Sequence, residues 1–478
     1  MSSCPSDPSE KLATSVKELL FHTLYAPTED IENYGSGGLY PVHFGDIFKE
    51  PRYKVIRRLG YGSFSTVWLV KDFHSQDSHR GRFKDNTELK ILKHLSETKQ
   101  DHPGKKHVVK LLDYFMHEGS NGNHLCLVFE TMGASSASMA EKISLKGPRG
   151  VDNRAYPTWM VKSLIRQALL GLDFLHQERI AHGDFQPGNI LFSISNLRSL
   201  DKKQLAQDFN AEGAISGPVR RLDGTIDPGA PRYLALNQSL SHYVNLGHDF
   251  VAKISDMGGA FFFSSPPKKY VTPVGLRNPE LVASGKIDVL QDVWSVGCLI
   301  FEFLTGLPLL NVSFYDSEED TNSAHFLEFS DILGPLPQWI LSAWPQSRTH
   351  FDAEGNQIKY YIREPPEDGD LELSDGGWDG QLENDIEPTD EDFIDDMEFE
   401  PAPNDPPELP MEDAKADDPT MPPLEDFFDQ NKPSDMTPDE AHLVKTLLRQ
   451  ILQYDREKRP TVSQILKHPW FNSSNEAV

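Results

Sequence analysis

The stretch from His182 to Asn189 carries the clearest chemical pattern in the chain. Asp184 and Asn189 lie five residues apart, with a proline and a glycine between them. Proline and glycine favour a tight loop, and the apolar run at 190–192 predicts a short buried strand behind it. Such a loop can hold a proton acceptor and an oxygen ligand for a metal at a fixed separation, which is what phosphoryl transfer requires from a protein.

Two further patterns suit the same chemistry. A short strand ends at Asp256, directly before Met257 and a glycine, and a carboxylate in that place suits a second magnesium ligand. Residues 53–71 read as a strand, a glycine turn and a strand, in which Gly60 and Gly62 allow the backbone to approach a polyanion closely. Each pattern alone is also typical of an ordinary strand end or hairpin. Their order along the chain favours a nucleotide site.

The elements that must position these loops can be predicted as well. Residues 159–179 repeat apolar side chains with the period of a core-facing helix, just before the loop at 182. Residues 292–306 are largely apolar and end in glycine, which predicts a buried helix. Strands are predicted at 108–115 and 124–132, and helical periodicity returns at 438–454.

Composition limits the class of protein and the compartment. The 478 residues suffice for two lobes and tails, and three cysteines without metal-ligand spacing argue against a disulfide framework. The N-terminus has no secretory pattern, and no apolar run reaches the roughly 18 residues that span a bilayer. We therefore expect a protein of the cytoplasm and nucleus that neither enters a membrane nor binds nucleic acid directly.

The net charge of −27 is concentrated in one segment. Residues 364–430 hold 26 of the 73 acidic residues and one basic residue, Lys415. A stretch so charged and so rich in proline is not expected to pack, which predicts a disordered acidic insertion. It would serve either as a solvated linker or as a weak, salt-sensitive attractor of basic peptides.

Taken in order, the motifs resemble the eukaryotic protein-kinase signature over residues 53–471. The matching residues are Gly60 to Val67, Glu88, Phe129 to Met132, His182 to Asn189, Asp256 to Gly258, Pro279, Glu280, Asp292 and Arg459. The segment from Gly37 to Phe48 and the long insertions resemble, more narrowly, the SR-protein kinase family in its fungal-type branch. The resemblance implies a serine/threonine kinase that uses ATP and Mg²⁺ to phosphorylate serines in Arg/Ser-rich proteins such as splicing factors. We expect it to act as a monomer.

The implied fold is α+β and bilobal, with a small β-rich N-terminal lobe and a large, mainly helical C-terminal lobe. Residues 1–35 would be a flexible segment with a helix around residues 10–24. The N-terminal lobe would cover 36–132 and would be incomplete. The C-terminal lobe would cover 133–478 and would contain a polar insertion at 193–250 as well as the acidic one.

The resemblance also assigns the site residues. Asp184 would be the catalytic base, Gln186 would lie near the γ-phosphate, and Asn189 and Asp256 would bind magnesium. The nucleotide-binding residues would be Leu59, Gly60, Gly62, Val67, Glu88, Glu130 and Met132. In the same pattern Asp292 holds the backbone of the catalytic loop, and Arg459 pairs with Glu280.

Three departures from the family pattern leave alternatives open. The third-strand lysine that grips the α- and β-phosphates is missing with its strand, so Glu88 lacks its usual partner, and Arg82 and Lys84 are candidates to replace it. Gln186 stands in place of a lysine, and Met257 in place of a phenylalanine. The chain is therefore either an active kinase, or a pseudokinase or interaction scaffold that binds basic partners. The chain could also be a mis-spliced, catalytically impaired form, in which a missed exon would have encoded the residues lost between Gln76 and Asp77.

Overall fold

Antiparallel strands dominate the N-terminal part of the chain and helices dominate the rest, in a computed structural model. The strands are β1 Ile47–Phe48, β2 Tyr53–Tyr61, β3 Thr66–Asp72, β4 Leu111–Gly119, β5 Gly122–Phe129, β6 Met132–Ser135, β7 Leu145–Lys146, β8 Asp152–Asn153, β9 Ile180–Ala181, β10 Ile190–Ser193, β11 Ala252–Ile254 and β12 Phe261–Phe262. The helices are α1 Thr87–Glu97, α2 Ser136–Ile143, α3 Thr158–Gln177, α4 Pro279–Ser284, α5 Leu290–Thr305, α6 Glu318–Leu333, α7 Gln338–Ala343, α8 Ser347–His350, α9 Leu424–Asn431, α10 Pro438–Ile451, α11 Val462–Ile465 and α12 Pro469–Asn472.

The structure describes residues 19–22, 28–35, 37–49, 51–62, 65–73, 86–143, 145–146, 152–153, 155–194, 197, 200–201, 203–313, 315, 317–358 and 421–472. These residues belong to one compact unit, formed by 1–357 and 421–478, except for Ile358, which belongs to a second unit at 358–420. Among the described helices, none combines the length and the hydropathy that crossing a bilayer requires.

The predicted glycine hairpin is formed by β2 and β3. Gly60 lies opposite Val67, and Tyr61 lies opposite Thr66, and beyond this last pair the N–H of Gly62 donates to the carbonyl oxygen of Ser65. Tyr53 and Val55 alternate with exposed or half-buried neighbours along β2 and point into the lobe. β1 completes a three-stranded sheet by pairing with the start of β2.

A second, two-stranded sheet consists of β4 and β5. In the described part of the lobe no strand joins β3 to β5, and residues 74–85, where the third strand was predicted to be missing, are outside the described residues. Side chains connect the two sheets instead, because the ring of Tyr53 stacks on that of Phe115 with their centroids 5.8 Å apart.

Asp113 on β4 is the polar part of this connection. Its carboxylate accepts hydrogen bonds from Lys49 Nζ at 2.8 Å, Arg52 Nη1 at 3.0 Å and the hydroxyl of Tyr53 at 2.7 Å. Burial works against the charged form, but the donors Lys49 and Tyr53 and the N–H of Tyr114 hold the pKa of Asp113 below its usual value. One carboxylate thus ties β4 to the three residues that flank and begin β2.

The C-terminal lobe is built on two predicted helices. The helix predicted at 159–179 is α3, whose apolar face is buried along its whole length. The helix predicted at 292–306 is α5, which is almost entirely buried and ends at Gly306, a residue in the left-handed region with φ of 73°. Both predictions are confirmed, because strict apolar periodicity or a long apolar run leaves few alternatives.

The acidic insertion was predicted to extend to residue 430, and its C-terminal end is wrong. Residues 424–431 form α9, in which Leu424, Phe427 and Phe428 are buried. The ring centroid of Phe427 lies 4.8 Å from that of Phe301. The apolar spacing of these three residues places them on one helical face, and the burial of that face outweighs the local charge. Residues 364–420 are outside the described residues.

Part of the segment predicted to be flexible, 1–35, is packed. Ile31 to Tyr34 form a 3-10 helical turn in which Ile31 and Tyr34 are buried, and Phe21 is buried in an isolated bridge with Arg221. The helix predicted around residues 10–24 is therefore wrong at 19–22, while residues 1–18 are outside the described residues. A small apolar cluster with Leu234 explains the difference, because it offers these side chains a partner that is distant in the sequence.

The insertion at 193–250 packs against both lobes. Arg57 on β2 donates through Nη2 to the carbonyl oxygens of Gln204 and Ala206, at 2.9 and 2.7 Å. On the other side, Nζ of Lys142 on α2 donates to the hydroxyl of Ser241. The insertion is polar and mostly irregular, and its backbone groups bond both to the lobes and within the insertion: the N–H of Gln207 donates to the carbonyl oxygen of Ile56 at 2.8 Å, and the N–H of Ser216 to that of Leu234 at 2.7 Å.

Candidate active site

A buried aspartate on α5 fixes the backbone of the catalytic loop. Asp292 accepts the N–H groups of His182 and Gly183, each at 2.8 Å, and Nε2 of His176 at 2.9 Å. Burial opposes its charge, but these donors hold the pKa of Asp292 below the usual value. The predicted contact between Asp292 and the loop is present.

Gly183 is required by the same geometry. Its φ is 76°, and a Cβ atom there would lie 2.2 Å from the carbonyl oxygen of Gly259. The loop can therefore follow this path only with glycine at position 183.

Two amides orient the carboxylate of Asp184. Gln186 Nε2 donates to Oδ1 at 2.8 Å, and Asn189 Nδ2 donates to Oδ2 at 3.0 Å and to the carbonyl oxygen of Asp184 at 2.8 Å. The pKa of Asp184 is raised, chiefly by burial and further by the charge of Asp256, against the effect of the two amide donors. A fixed carboxylate with a raised pKa suits a proton acceptor.

The two predicted magnesium ligands come from adjacent strands. Asn189 directly precedes β10, which pairs with β11, and the N–H of Ser255 donates to the carbonyl oxygen of Asn189 at 2.8 Å. Asp256 follows with φ of 62° and is exposed, and its Oδ1 accepts the N–H of Gly258 at 3.0 Å. Nδ2 of Asn189 donates to Asp184, so the amide oxygen of Asn189 is the atom that could bind a metal ion.

This donor set fits magnesium. No group of three or more His, Cys, Asp or Glu side chains in the described part of the chain is arranged to hold a metal ion. An amide oxygen and a carboxylate are hard oxygen ligands, and Mg²⁺ is usually held by one or two such groups while its other positions take water and substrate phosphates. Asn189 and Asp256 are the residues that would hold it.

Glu88 on α1 faces the same charge. Burial, followed by the negative charge of Asp256, raises the pKa of Glu88 to about 7. Among the described residues no lysine or arginine pairs with Glu88, Asp184 or Asp256, and the candidate partners Arg82 and Lys84 are outside that set. The described site is therefore strongly negative.

The far end of α1 is anchored to the C-terminal lobe. Glu178, which follows α3, accepts hydrogen bonds from His94 Nε2 and from the hydroxyl of Thr98, both at 2.6 Å. The position of α1 therefore does not depend on a partner for Glu88 alone.

The glycine hairpin leaves room for a ligand. A Cβ atom added at Gly60 or Gly62 would meet no atom within 4 Å, and the N–H of Gly62 donates to the carbonyl oxygen of Ser65 at 2.9 Å. Leu59 is half-buried, and Val67 is 50% exposed. This open backbone fits a bound phosphate chain.

The segment between β5 and β6 contains an ion pair that the sequence analysis missed. Glu130 binds Lys253 Nζ at 2.7 Å and also accepts the N–H of Lys110 at 2.8 Å, while Met132 is buried in β6. Lys253 lies on β11, three residues before Asp256. The sequence shows only that Glu130 follows one strand and that Lys253 lies within another. Nothing in the sequence indicates that the two side chains meet.

The predicted pair between Arg459 and Glu280 is present and buried. Arg459 Nη1 donates to Glu280 Oε2 at 3.0 Å, and its guanidinium lies 5.0 Å from the ring centroid of Trp294. The structure also shows two contacts that were not predicted: Thr272 Oγ1 and Gln291 Nε2 both donate to the carbonyl oxygen of Gly183, at 3.2 and 3.1 Å.

Comparison with known proteins identifies the family of this chain. Residues 53–471 match the family described as the protein kinase domain. The chain is 30% identical over 364 residues to the serine/threonine-protein kinase SRPK of Physarum polycephalum, covering 71% of this chain and 80% of that protein. It is 28% identical over 416 residues to the protein kinase dsk1 of Schizosaccharomyces pombe, covering 68% and 74%.

A third relative is the human SRSF protein kinase 3, which is 35% identical over 198 residues, 39% of this chain and 33% of that protein. Protein kinases in general use ATP and Mg²⁺, and the family match covers every motif of the site. The chain belongs to the protein kinase family and, within it, to the fungal-type branch of the SR-protein kinases.

Proposed function

We propose that this chain transfers the γ-phosphate of ATP to serine residues in Arg/Ser-rich proteins such as splicing factors, as a monomer in the cytoplasm and nucleus. The observation that carries the proposal is the orientation of Asp184. Its carboxylate is held by Gln186 and Asn189, on a loop whose backbone is fixed by Asp292. This arrangement supports proton removal from a hydroxyl at a defined point.

The chemistry follows from these positions. The serine oxygen bonds to the γ-phosphorus as the bond to the bridging oxygen breaks, and the hydroxyl proton passes to Asp184. Asn189 and Asp256 would hold magnesium, which when bound offsets the negative charge of the phosphates. Gly60 and Gly62 would lie over the phosphates, and the backbone of residues 130–132 would bind adenine.

The substrate class rests on the relatives and on charge. A relative is named an SRSF protein kinase, and a protein rich in arginine would be attracted by acidic surface. In this chain α6 begins with Glu318, Glu319 and Asp320, and the hydroxyl of Tyr270 donates to Glu318 at 2.7 Å. The acidic turn is thus next to the segment that leads to Thr272, which contacts the catalytic loop.

One observation favours a second function, that of a pseudokinase or scaffold for basic partners. In the described residues no cation pairs with Glu88, so a lysine that would hold the α- and β-phosphates has no counterpart there. Loss of one electrostatic donor typically costs about 3 to 4 kcal/mol of transition-state stabilisation. Sequencing the transcript across Gln76 and Asp77 would show whether a missed exon accounts for the gap.

The test is transfer of radiolabelled phosphate from ATP to an arginine-serine peptide in the presence of Mg²⁺. We expect incorporation that is abolished in Asp184→Ala and unchanged in Asp426→Asn, which alters an exposed aspartate on the outer face of α9. Incorporation no greater than that of Asp184→Ala would contradict the proposal. Calorimetry then separates the alternatives: peptide binding without Mg²⁺-dependent ATP binding would identify a scaffold.

A further inference from the structure

A fully buried ion pair joins the N-terminal segment to the glycine hairpin. Arg58 lies on β2, two residues before Gly60, and its Nη2 atom is 2.6 Å from Oε2 of Glu29. The two side chains are 1% and 2% exposed. The other oxygen of Glu29 accepts the hydroxyl of Tyr34, whose pKa is raised by burial and by the charge of Glu29. Surface ion pairs contribute little to stability, because water solvates each charge separately. Neither of these two charges is in contact with water, so each is stabilised chiefly by the other.

The same guanidinium reaches the phosphate-binding turn. Arg58 Nε donates to the carbonyl oxygen of Gly60 at 3.0 Å. Because the peptide unit is planar, this bond also sets the orientation of the N–H group of Tyr61. The guanidinium lies over the ring of Trp68 on β3, 4.7 Å from its centroid, and Trp68 is the register partner of Arg58. One side chain therefore contacts both strands and the first glycine of the turn.

The backbone of Arg58 is held from a second direction. Its N–H donates to Oε1 of Gln207 at 3.1 Å, and its carbonyl oxygen accepts the N–H of Gln238 at 2.9 Å. Both partners belong to the insertion at 193–250. The middle of β2 is thus fixed by two segments, of which one precedes the kinase match at 53–471 and the other interrupts it.

We propose that Glu29 and Arg58 are positioning residues for nucleotide binding: the buried pair holds Gly60 and the β2–β3 hairpin in the geometry that receives the phosphates. Among the described residues, no strand pairs with β3 on the side away from β2, and no cation pairs with Glu88. The described contacts that hold the hairpin therefore come from other segments, and the pair of Glu29 and Arg58 is one of them. The proposal rests on the proposed function in taking ATP as the ligand.

The experiment combines amide hydrogen exchange with nucleotide kinetics on the full chain. Glu29→Gln removes the charge and keeps the size of the side chain. We expect amide exchange in residues 53–62 to rise about tenfold, and KM for ATP to rise about tenfold while kcat changes less than about threefold. Tyr34→Phe, a milder change at the same carboxylate, is expected to give a smaller shift in the same direction, and it serves if Glu29→Gln does not fold.

The matched control is Glu440→Gln, which breaks the partly buried pair between Glu440 and Lys162 in the C-terminal lobe, 2.8 Å apart. We expect this variant to leave exchange in the hairpin and KM for ATP unchanged. Equal effects of the two glutamate variants on the hairpin, or no effect of Glu29→Gln, would overturn the proposal. If the wild-type chain transfers no phosphate, the proposed function fails, and the exchange measurement still decides whether the pair positions the hairpin.

Discussion

Gln186 donates a hydrogen bond to Asp184 and carries no charge, in a position where the family pattern has a lysine. Its Nε2 atom lies 2.8 Å from Oδ1 of Asp184 and holds the carboxylate in one orientation. A neutral amide offers nothing comparable to an ammonium group for a developing negative charge on the phosphoryl oxygens. If the chain transfers phosphate as proposed, we expect the substitution to affect the rate of transfer more than the assembly of the site.

Gln186→Lys is expected to increase phosphoryl transfer about tenfold or more, because it adds a positive charge beside the γ-phosphate. The measurement is the initial rate of transfer to an arginine-serine peptide at saturating ATP. Gln186→Met, which has similar length and no donor, should reduce the rate. A lysine variant no faster than the methionine variant would show that charge at this position is irrelevant.

Glu88→Gln is expected to stabilise the protein at high pH. The pKa of Glu88 is raised to about 7 by burial and by Asp256, so the stability present below its ordinary pKa is lost as the pH rises through 7. The glutamine variant should match the wild type at pH 4, below the ordinary pKa of glutamate, and exceed it by about 1 to 2 kcal/mol at pH 8, allowing for solvent screening. Urea unfolding without Mg²⁺ measures this.

The control is Glu97→Gln, which alters an exposed residue at the end of the same helix. The same pH dependence in both variants would mean that Glu88 is not the group responsible.

At the scale of elements, the N-terminal lobe consists of two sheets that share no described backbone hydrogen bond. Their connection depends on Asp113, on the stacking of Tyr53 and Phe115, and on the surrounding apolar cluster. A continuous sheet distributes its cohesion over many backbone bonds, whereas here a few side chains carry it. The lobe is therefore sensitive to single substitutions at these positions.

Asp113→Asn should destabilise the protein by about 2 to 3 kcal/mol, since it leaves Lys49 without a charged partner in a partly buried position and removes one of the two carboxylates that bind Arg52. Because the pKa of Asp113 is lowered in the folded protein, this difference should be present above pH 4 and decrease as the pH falls below it. Asp72→Asn, at a more exposed partner of Arg52, should cost less than about 1 kcal/mol. Equal costs would contradict this account.

Helices were predictable where periodicity was strong and missed where it was diluted. In α3 and α5 the apolar pattern continues for four turns or more, so α3 and α5 were predicted closely. α9 was missed because its three apolar residues lie at the end of a long acidic stretch, whose average charge concealed them. Phe21 was wrongly assigned to a helix. It pairs with Arg221, which lies 200 residues further along the chain, and local sequence cannot reveal so distant a partner.

At the scale of the whole molecule, residues on both sides of the acidic segment share one core. Phe301 on α5 packs against Phe427 and Phe428 on α9, and Arg449 on α10 binds Glu425 through two hydrogen bonds of 2.6 Å. The core therefore includes α9, and residues 424–431 do not belong to the acidic insertion.

Deletion of 364–430 should reduce stability by about 4 kcal/mol or more relative to deletion of 364–420, each with the same glycine-serine bridge. The longer deletion removes Leu424, Phe427 and Phe428 from the core, and loss of one buried phenylalanine side chain alone costs about 3 to 5 kcal/mol. Urea unfolding of the two variants tests this directly, and coincident midpoints would place α9 outside the core.

The candidate site was predictable where a motif fixes both residue and spacing. Asn189 contacts Asp184, and the charge of Asp256 acts on the same carboxylate. Asp292 binds the backbone of the loop, and Arg459 pairs with Glu280. The pairs that join distant segments, such as Glu130 with Lys253, could not be read from one sequence. A local pattern reveals what a segment can do, and only the fold decides which charge it meets.

The kinase match begins at residue 53, but buried residues such as Phe21, Ile31 and Tyr34 lie before it. A chain trimmed to 53–471 would keep every catalytic motif and lose Glu29, the counterion of a guanidinium that is 1% exposed. Removing one partner of a buried pair costs about 3 to 5 kcal/mol, a large part of the net stability of a typical domain. An expression fragment with the boundaries of the kinase match would thus contain Arg58 as a buried charge without its counterion.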